Sequence, residues 1–584
     1  MCPMGARSGL QTLIKKVIYH FFESMSCLGS LAAGSLSLRL GTQTAPLCGA
    51  WFVFLAPFQA PLFGNSALLI ENETHPVRGD TVKLCDLLAG VPLTGGEVNP
   101  EMEISSISYD SRTLCPGALF VALPGEKTDG HRYIDAALEK GAAAVVCSRP
   151  PDRPGPWLVT RDARLALALL GANWFGRPGE EMTLVAVTGT NGKTTTTSLL
   201  KELLERVLGA KVGLVGTNRN MVGQRELPAH RTTPESYELQ ELLRQMADEG
   251  CTHVVMEVSS HALVQHRTAG LTFQAGVFTN LTQDHLDYHH TMEEYRRAKG
   301  LLFDQCRRAV INLDDEAGRW YLERLPCPAF TYSENQTRAD LCARNIRLFP
   351  SHVEFEALTL GRLARVHLPI PGGFSIYNAL AALSAGLVLG LDLGEMARAM
   401  PAVRGVKGRV EVVPVPRAYT VLIDYAHSPN ALENILMTAR DFTAGRLICL
   451  FGCGGDRDKT KRPIMGEVVG ELADVAVVTS DNPRTERPEA IIADILPGLR
   501  GRQAQVHVEP DRRKAIAWAL SQGKPGDVIV LAGKGHETYQ EIQGVQYPLD
   551  ERKVVADWFK KEDFCQLPQG KGQKETGKVP ADVV

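Results

Sequence analysis

The sequence predicts an α/β protein with a small mixed N-terminal domain followed by two domains built on parallel sheets. Three observations predict it. Apolar runs of strand length recur and most end at glycine or polar residues: TLVAVTG at 183–189, HVVMEV at 253–258, AGVFTNL at 275–281, RAVINLD at 308–314, TVLIDYA at 420–426, RLICLFG at 446–452, DVAVVTS at 474–480 and DVIVLAG at 527–533. Helical patterns such as LLKELLERVL at 199–208 stand between them, and strands alternating with helices imply a mostly parallel sheet covered on both faces. The chain has 584 residues, room for about three or four domains.

Composition excludes several classes. With 44% hydrophobic and 22% charged residues the chain can bury real cores, so it is neither mainly disordered nor a disulfide-dense mini-protein. A net charge of −3 gives no basic excess for nucleic acid or an anionic membrane, so neither partner is expected. The 13 cysteines include no CxxC pair, and Cys449 and Cys453 are too isolated to suggest zinc. Reduced cysteines and a cytoplasmic location are expected.

Residues 1–81 read as an extension outside the core. Leu40 to Ile70 contains no Asp, Glu, Lys or Arg, and Lys15 and Lys16 lie upstream, the pattern of a signal peptide or anchor. Pro46, Pro57 and Pro61, with Gln59 and Asn65, speak against a spanning helix of about 20 apolar residues. The expectation is a start codon assigned too early, with the true start near Val77 or Val82; an anchor or export signal and a dispensable disordered extension are the alternatives. Three domains follow, at 82–178, 179–409 and 410–567. The polar, Gly/Pro-spaced tail 568–584 is expected to be disordered.

The first domain mixes short strands (GALFVAL, AAAVVC) with the helical YIDAALEKG. The second opens on a phosphate loop. Gly189, Thr190, Asn191, Gly192, Lys193, Thr194 and Thr195 join a buried strand to a helix, where backbone amides and a helix N-terminus cradle phosphate. Lys193 would neutralise β/γ-phosphate charge, and Thr194 would hold Mg²⁺. The strict pattern has glycine where Val187 stands, so the match is GKT plus its context.

Glu257 ends the strand HVVMEV, and a carboxylate at a strand end beside a phosphate loop suits Mg²⁺. His285 follows the strand AGVFTNL; a lone histidine is often structural, and a strand-end position favours a ligand. Lys299 lies in the helical EEYRRAK and by composition alone is a solvated surface lysine. In the third domain, DYAHSPN, GCGGDRDKTKRP, SDNPRTE and GKGHE all follow strands, where ligands gather in such sheets.

The set GTNGKTT, TTP (232–234), EVSSHALVQHR (257–267), NLTQDHLDYH and YRRAK, in this order, resembles the Mur ligases over about residues 82–559. The resemblance implies the three-domain Mur ligase architecture: a UDP-substrate domain, a central P-loop ATPase-like domain and a C-terminal Rossmann-like domain. It implies ATP-dependent amide bond formation through an acyl phosphate, on UDP-N-acetylmuramoyl-L-alanyl-D-glutamate. Lys193, Glu257, His285 and Lys299 become catalytic. Lys299 is expected to carry a CO₂-derived carbamate and to ligate Mg²⁺ with Thr194, Glu257 and His285. Carbamylation needs a neutral amine and hence a depressed pKa.

The resemblance also places Ser111, in the Asp110–Arg112 turn, at the uridine end. It gives Thr232, Thr233, Ser259, Gln265 and Arg267 to the sugar-peptide, and Asn378, Arg409, Asp424 and His427 to ATP alongside the phosphate loop. Lys407 stands where the family often has proline, a small departure beside Arg409. Asp481, Asn482, Pro483 and Arg484 resemble the motif of the branch adding meso-diaminopimelate, with Arg457, Gly533 and Glu537 as its partners. By itself DNPR is a turn sequence. A carboxylate invites a bidentate guanidinium, which Arg484 would offer to the extra carboxylate of diaminopimelate; lysine would leave it unpaired, and sites built for a polar group reject analogues lacking it by about 10⁴-fold or more. Glu537 would meet an ammonium. The alternatives are a lysine-adding ligase, a folylpolyglutamate synthetase relative, a P-loop phosphohydrolase or kinase without ligation, and a non-catalytic nucleotide-sugar binder. A monomer is expected.

Overall fold

The computed structural model describes residues 81–566, apart from 126 and 127. The expectations for the extension, Thr81 excepted, and for the tail from 568 lie outside the described residues. A short antiparallel ladder opens the described chain, β1 (Val82–Lys83) on β2 (Glu103–Ile104). Then β3 (Ser106–Ser108), β4 (Ala118–Val121), β5 (Ala144–Cys147) and β6 (Trp157–Val159) form a parallel sheet in sequence order. Side chains alternate across a strand. Leu119 and Val121 therefore pack with Ala166, Leu167 and Leu170 of the helix Ala163–Trp174. Ala118 and Phe120 face Ile134 and Ala137 of the helix Ile134–Glu139. Asp162 caps the longer helix by accepting from the amides of Arg164 and Leu165. The Tyr109 hydroxyl donates to Glu238, on the helix Ser236–Asp248 of the next domain.

The central sheet comprises β7 (Thr183–Thr188), β8 (Val212–Val215), β9 (Asn220–Val222), β10 (Arg225–Leu227), β11 (His253–Glu257), β12 (Ala275–Phe278), β13 (Ala309–Asn312), β14 (Ala329–Ser333), β15 (Leu341–Leu348), β16 (Val353–Thr359) and β17 (Arg362–Leu368). Its order is β10-β9-β8-β11-β7-β12-β13-β14-β15-β16-β17. The stretch from β8 to β15 is parallel; both ends are antiparallel. The chain leaves β7 toward β8 and β11, then crosses to β12 on the other side of β7. Ligand crevices form at such reversals, outside the carboxyl ends of the strands. The helices Lys193–Leu208 and Gly373–Val388 cover one face, with Leu199, Leu203, Ile376 and Leu380 against Val185, Val277 and Val310.

The third sheet holds β18 (Glu411–Val413), β19 (Thr420–Asp424), β20 (Leu447–Phe451), β21 (Val475–Val478), β22 (Gln505–Val508) and β23 (Val528–Ala532), ordered β18-β19-β23-β20-β21-β22 and parallel except for β18. A hairpin follows, β24 (Tyr539–Ile542) on β25 (Val545–Pro548). Arg512 and Glu551 are both 0% exposed and ion-paired at 2.8 Å. Arg512 also donates to the carbonyls of Ser480 and Ala532, which braces the loops leaving β21 and β23. Among the described residues no helix is long and apolar enough to cross a membrane.

Candidate functional site

The loop between β7 and the helix starting at Lys193 is shaped by two glycines. Gly189 has φ 150° and a Cβ there would lie 1.9 Å from Thr279 Oγ1; Gly192 has φ 84° and would meet Asn378 Oδ1 at 2.3 Å. Both demand glycine, because the loop lies against the end of β12 on one side and the helix Gly373–Val388 on the other. Val187, the departure from the strict pattern, is simply the buried penultimate residue of β7. The Thr190 and Asn191 amides donate to the Asn280 carbonyl and side-chain oxygens. Lys193 Nζ donates to the carbonyls of Gly189 (2.9 Å) and Thr190 (2.8 Å). Withdrawal from water lowers its pKa, with Glu257 and Asp284 opposing.

Glu257 is buried at the end of β11 and holds the cluster together. Its Oε2 accepts from the hydroxyls of Thr194 (3.0 Å) and Thr217 (2.9 Å), and its Oε1 from the Thr217 amide (2.9 Å). With that proton on Glu257, Thr217 Oγ1 accepts from Thr232 Oγ1 at 3.1 Å. Lys299 is only 2% exposed, and Nζ donates to Gly189 O at 2.8 Å. Burial first, and the charge of Lys193 second, push its pKa well below the usual lysine value. The surface placement that composition suggests is therefore wrong. The helix Met292–Gly300 turns Lys299 inward together with Tyr295, whose ring lies 4.5 Å from Nζ and whose hydroxyl meets Thr190 Oγ1 at 3.3 Å. His285 sits in the left-handed region at φ 53°, half exposed, its ring against His261 at 4.9 Å and Tyr295 at 6.2 Å.

The residues assigned to the sugar-peptide form one hydrogen-bonded group next to Glu257. Thr233 Oγ1 donates to the Glu257 carbonyl (2.9 Å) and accepts from the Ser259 amide (3.2 Å). Arg267 donates to Thr233 O at 3.0 Å and to Gln265 Oε1 at 2.5 Å. Ser259 Oγ caps the helix Ser260–Val264 by accepting from the Ala262 amide, so its hydroxyl has a local structural role as well. Ser111 lies in a turn closed by Asp110, which accepts from the Arg112 amide and pairs with its guanidinium. The Ser111 carbonyl accepts from Lys140 Nζ at 2.7 Å.

Asn378 Oδ1 accepts from Thr196 Oγ1 at 3.4 Å and faces Gly192, which puts it at the phosphate loop. Arg409 stacks over the Tyr425 ring at 5.2 Å. Asp424 already accepts from the amides of Val410 and Ala426, each at 2.8 Å, while burial pushes its carboxyl upward. The His427 ring meets the Tyr425 carbonyl at 2.7 Å through Nδ1. Asp424 and His427 thus shape the turn after β19.

At the carboxyl ends of β20, β21 and β23 the remaining residues converge. Asn482 Nδ2 donates to Glu537 Oε2 (3.0 Å), and Lys534 Nζ bridges Asn482 Oδ1 (2.7 Å) and Glu537 Oε2 (2.5 Å). Gly533, at φ 111°, would place a Cβ 2.4 Å from Asp481 Oδ2, and that buried oxygen has no hydrogen-bond partner. Pro483 presents its carbonyl to Gly455, where a Cβ would meet it at 2.0 Å. Arg457 is exposed. Arg484, at φ 49°, already has protein partners: Nε pairs with Glu541 Oε2 at 3.1 Å and Nη1 donates to Gly455 O at 2.9 Å. Its remaining N–H groups, chiefly those of Nη2, are what a carboxylate would find. Thr217, Tyr295, Lys534 and Glu541 were missed from the sequence. Lys534 alone had a local signal, a lysine inside the glycine turn GKGHE at the end of a buried strand.

The arrangement joins a glycine loop at a helix N-terminus, a fixed carboxylate at Glu257 and a charged cluster at the strand ends of the third sheet. Three family models match the chain: the Mur ligase family catalytic domain at residues 103–163, the Mur ligase middle domain at 187–386 and the Mur ligase glutamate ligase domain at 408–535. The chain is 46% identical over 481 residues to the UDP-N-acetylmuramoyl-L-alanyl-D-glutamate–2,6-diaminopimelate ligase of Caldanaerobacter subterraneus subsp. tengcongensis, covering 82% of this chain and 98% of that protein. It is 44% identical to ligase 1 of the same name from Clostridium acetobutylicum, covering 80% and 96%. A solved structure of a ligase of that name superposes with a TM-score of 0.64 at 33% identity, covering 83% of this chain and 99% of the other. The ADP complex of the Thermotoga maritima MurF ligase shares the fold, with a TM-score of 0.52 at 20% identity over 79% and 98% of the two chains.

Proposed function

The chain belongs to the Mur ligase family, and we propose on that premise that it joins meso-diaminopimelate to UDP-N-acetylmuramoyl-L-alanyl-D-glutamate at the expense of ATP, in the cytoplasmic synthesis of peptidoglycan precursors. The observation that carries this reading is the match to ligases of that name over nearly their whole length. The site chemistry supports it. Residues 82–178 take the uridine end through Ser111, residues 179–409 take ATP, and residues 410–567 take the amino acid.

The substrate carboxylate attacks the γ-phosphorus of ATP, and ADP leaves. The amine of diaminopimelate, having lost a proton, then attacks the acyl carbon, and phosphate leaves as the amide forms. Carboxylate and triphosphate repel, so the first step needs fixed positive charge and hydrogen-bond donors at the transferred group. Lys193 and the amides of the loop and first helical turn that are not spent on Asn280 supply them. Thr232, Thr233, Ser259, Gln265 and Arg267 hold the sugar-peptide, and Asn378, Arg409, Asp424 and His427 hold the adenosine side. Domain closure brings the three substrates together in a geometry fit for attack.

The oxygen-rich donors around Glu257 fit a magnesium ion. Thr194, Glu257, His285 and a carbamate on Lys299 would hold it. Bound there, magnesium neutralises phosphate charge. The neutral amine that carbamylation requires is consistent with the burial of Lys299. Asn482, Arg484, Arg457 and Glu537, set by Asp481, Pro483 and Gly533, receive the distal ammonium and carboxylate of diaminopimelate. The protein acts as a monomer.

Phosphate release tests the reaction class. It is expected only with ATP, the UDP-muramoyl dipeptide and diaminopimelate all present. Release that persists at the same rate without the amino acid would make the chain a phosphohydrolase and overturn the ligase reading.

A further inference from the structure

The β15–β17 end of the central sheet carries a cluster that the proposed ligation does not use. The strands β16 and β17 bury Val353, Phe355, Ala357, Val366 and Leu368 in the core. Their other faces are turned away from it. There Glu354 and His367 are direct register partners, and His352 lies two residues before Glu354, in the turn that enters β16. Glu354 Oε1 is 3.4 Å from His367 Nδ1 and 3.7 Å from His352 Nε2, and one donor atom from each of the three residues lies within 4.8 Å of the others. Donors held about 2.0–2.1 Å from a tetrahedral zinc are separated by about 3.3–3.4 Å, so the spacings from Glu354 to both histidines are already close to those around an ion.

The first ligand is also oriented. His352 Nδ1 lies 3.0 Å from Ser351 Oγ, which directs Nε2 at Glu354. Its ring stacks on Phe349 at 4.3 Å, and the Phe349 amide donates to the His352 carbonyl, closing the turn. Metal-bound histidines commonly have the second ring nitrogen fixed in this manner. The side chains are 22%, 39% and 43% exposed for His352, Glu354 and His367, so an ion can enter and keep a water as fourth ligand.

We propose that His352, Glu354 and His367 form a site for a late first-row divalent metal, zinc foremost, that clamps the β16–β17 hairpin. Two imidazoles and one carboxylate select such ions over magnesium, which prefers an all-oxygen shell. The site is separate in residues and in metal from the cluster at Glu257, and it stands whether or not the ligase assignment does.

The test is calorimetric titration of the full chain with zinc chloride under saturating magnesium, alongside His352→Ala, His367→Ala and the double variant. The wild type is expected to bind one more equivalent of zinc than the double variant, and each single variant to bind it at least about tenfold more weakly. Cobalt(II) in the same site should give a tetrahedral spectrum without thiolate charge transfer, lost in the double variant. Zinc should raise the Tm of the wild type more than that of the double variant. Magnesium-dependent ligation without zinc should be equal in all four proteins, which shows that the variants fold. Equal zinc stoichiometry and affinity in wild type and double variant would overturn the proposal, as would a cobalt spectrum that survives both substitutions.

Discussion

Lys193→Met is expected to lower kcat at least about 10³-fold, with a smaller loss in ATP affinity. In phosphoryl transfer, catalysis is mostly positioning and electrostatic stabilisation. Removing one preorganised donor from an anionic transition state already costs about 10²–10³-fold, and Lys193 adds a full charge. Its ammonium is held by the Gly189 and Thr190 carbonyls within the loop itself. Lys193→Arg should not restore the rate, because a planar guanidinium cannot occupy the place of a compact ammonium between two carbonyls of one turn. Single-turnover measurement of ADP formation separates the chemical step from binding. A rate within tenfold of wild type for Lys193→Met would remove this residue from the proposed machinery.

Lys299→Ala is expected to lower ligation at least about 10²-fold, and short carboxylic acids added to that variant should restore part of it. Lys299→Arg should be as poor as alanine and should not respond to the acids. The contrast separates a carbamate from a plain cation, since arginine keeps the charge and cannot take up CO₂ in the same way. The pH dependence has a definite sign. Burial and Lys193 hold the amine of Lys299 well below the usual lysine value, so its neutral form persists to lower pH than that of an exposed lysine. As pH falls through that lowered value the amine protonates, and a carbamate there would lose its CO₂. Activity should fall on that limb, and added bicarbonate at constant pH should recover part of it. Full activity in Lys299→Ala would reduce the residue to a packing role.

What the sequence made legible was what it encodes locally. The phosphate loop is strand, glycine turn and helix within a dozen residues, and the strand-end position of Glu257 follows from the apolar run before it. The carboxyl ends of the third sheet were legible for the same reason. Lys299 was not. Its spacing in EEYRRAK is compatible with a solvated face, and only the packing of its helix against the Gly189 loop buries it; the resemblance, not the pattern, pointed to it. The meander β15–β17 was overlooked, although VEFEALT alternates with the period of a half-buried strand. Arg484 shows the limit most clearly. Its partner Glu541 comes from a hairpin 57 residues later, so no local pattern announces that the guanidinium is already paired. Lys534 reaches Asn482 across 52 residues in the same way.

That pairing sharpens the question of amino-acid choice. Glu541 and the Gly455 carbonyl hold the guanidinium of Arg484 on one side, so in the proposed reading its outer N–H groups would meet the carboxylate and selectivity should rest on geometry as well as charge. The most direct measurement offers the enzyme meso-diaminopimelate and L-lysine at equal concentration, with ATP, Mg²⁺ and the UDP-muramoyl dipeptide, and weighs the products by mass spectrometry. The account predicts the diaminopimelate product almost alone from the wild type, and a preference cut by at least about tenfold in Arg484→Lys, where the bidentate fork is lost. A wild type that makes mainly the lysine product, or an Arg484→Lys variant with unchanged preference, would contradict it.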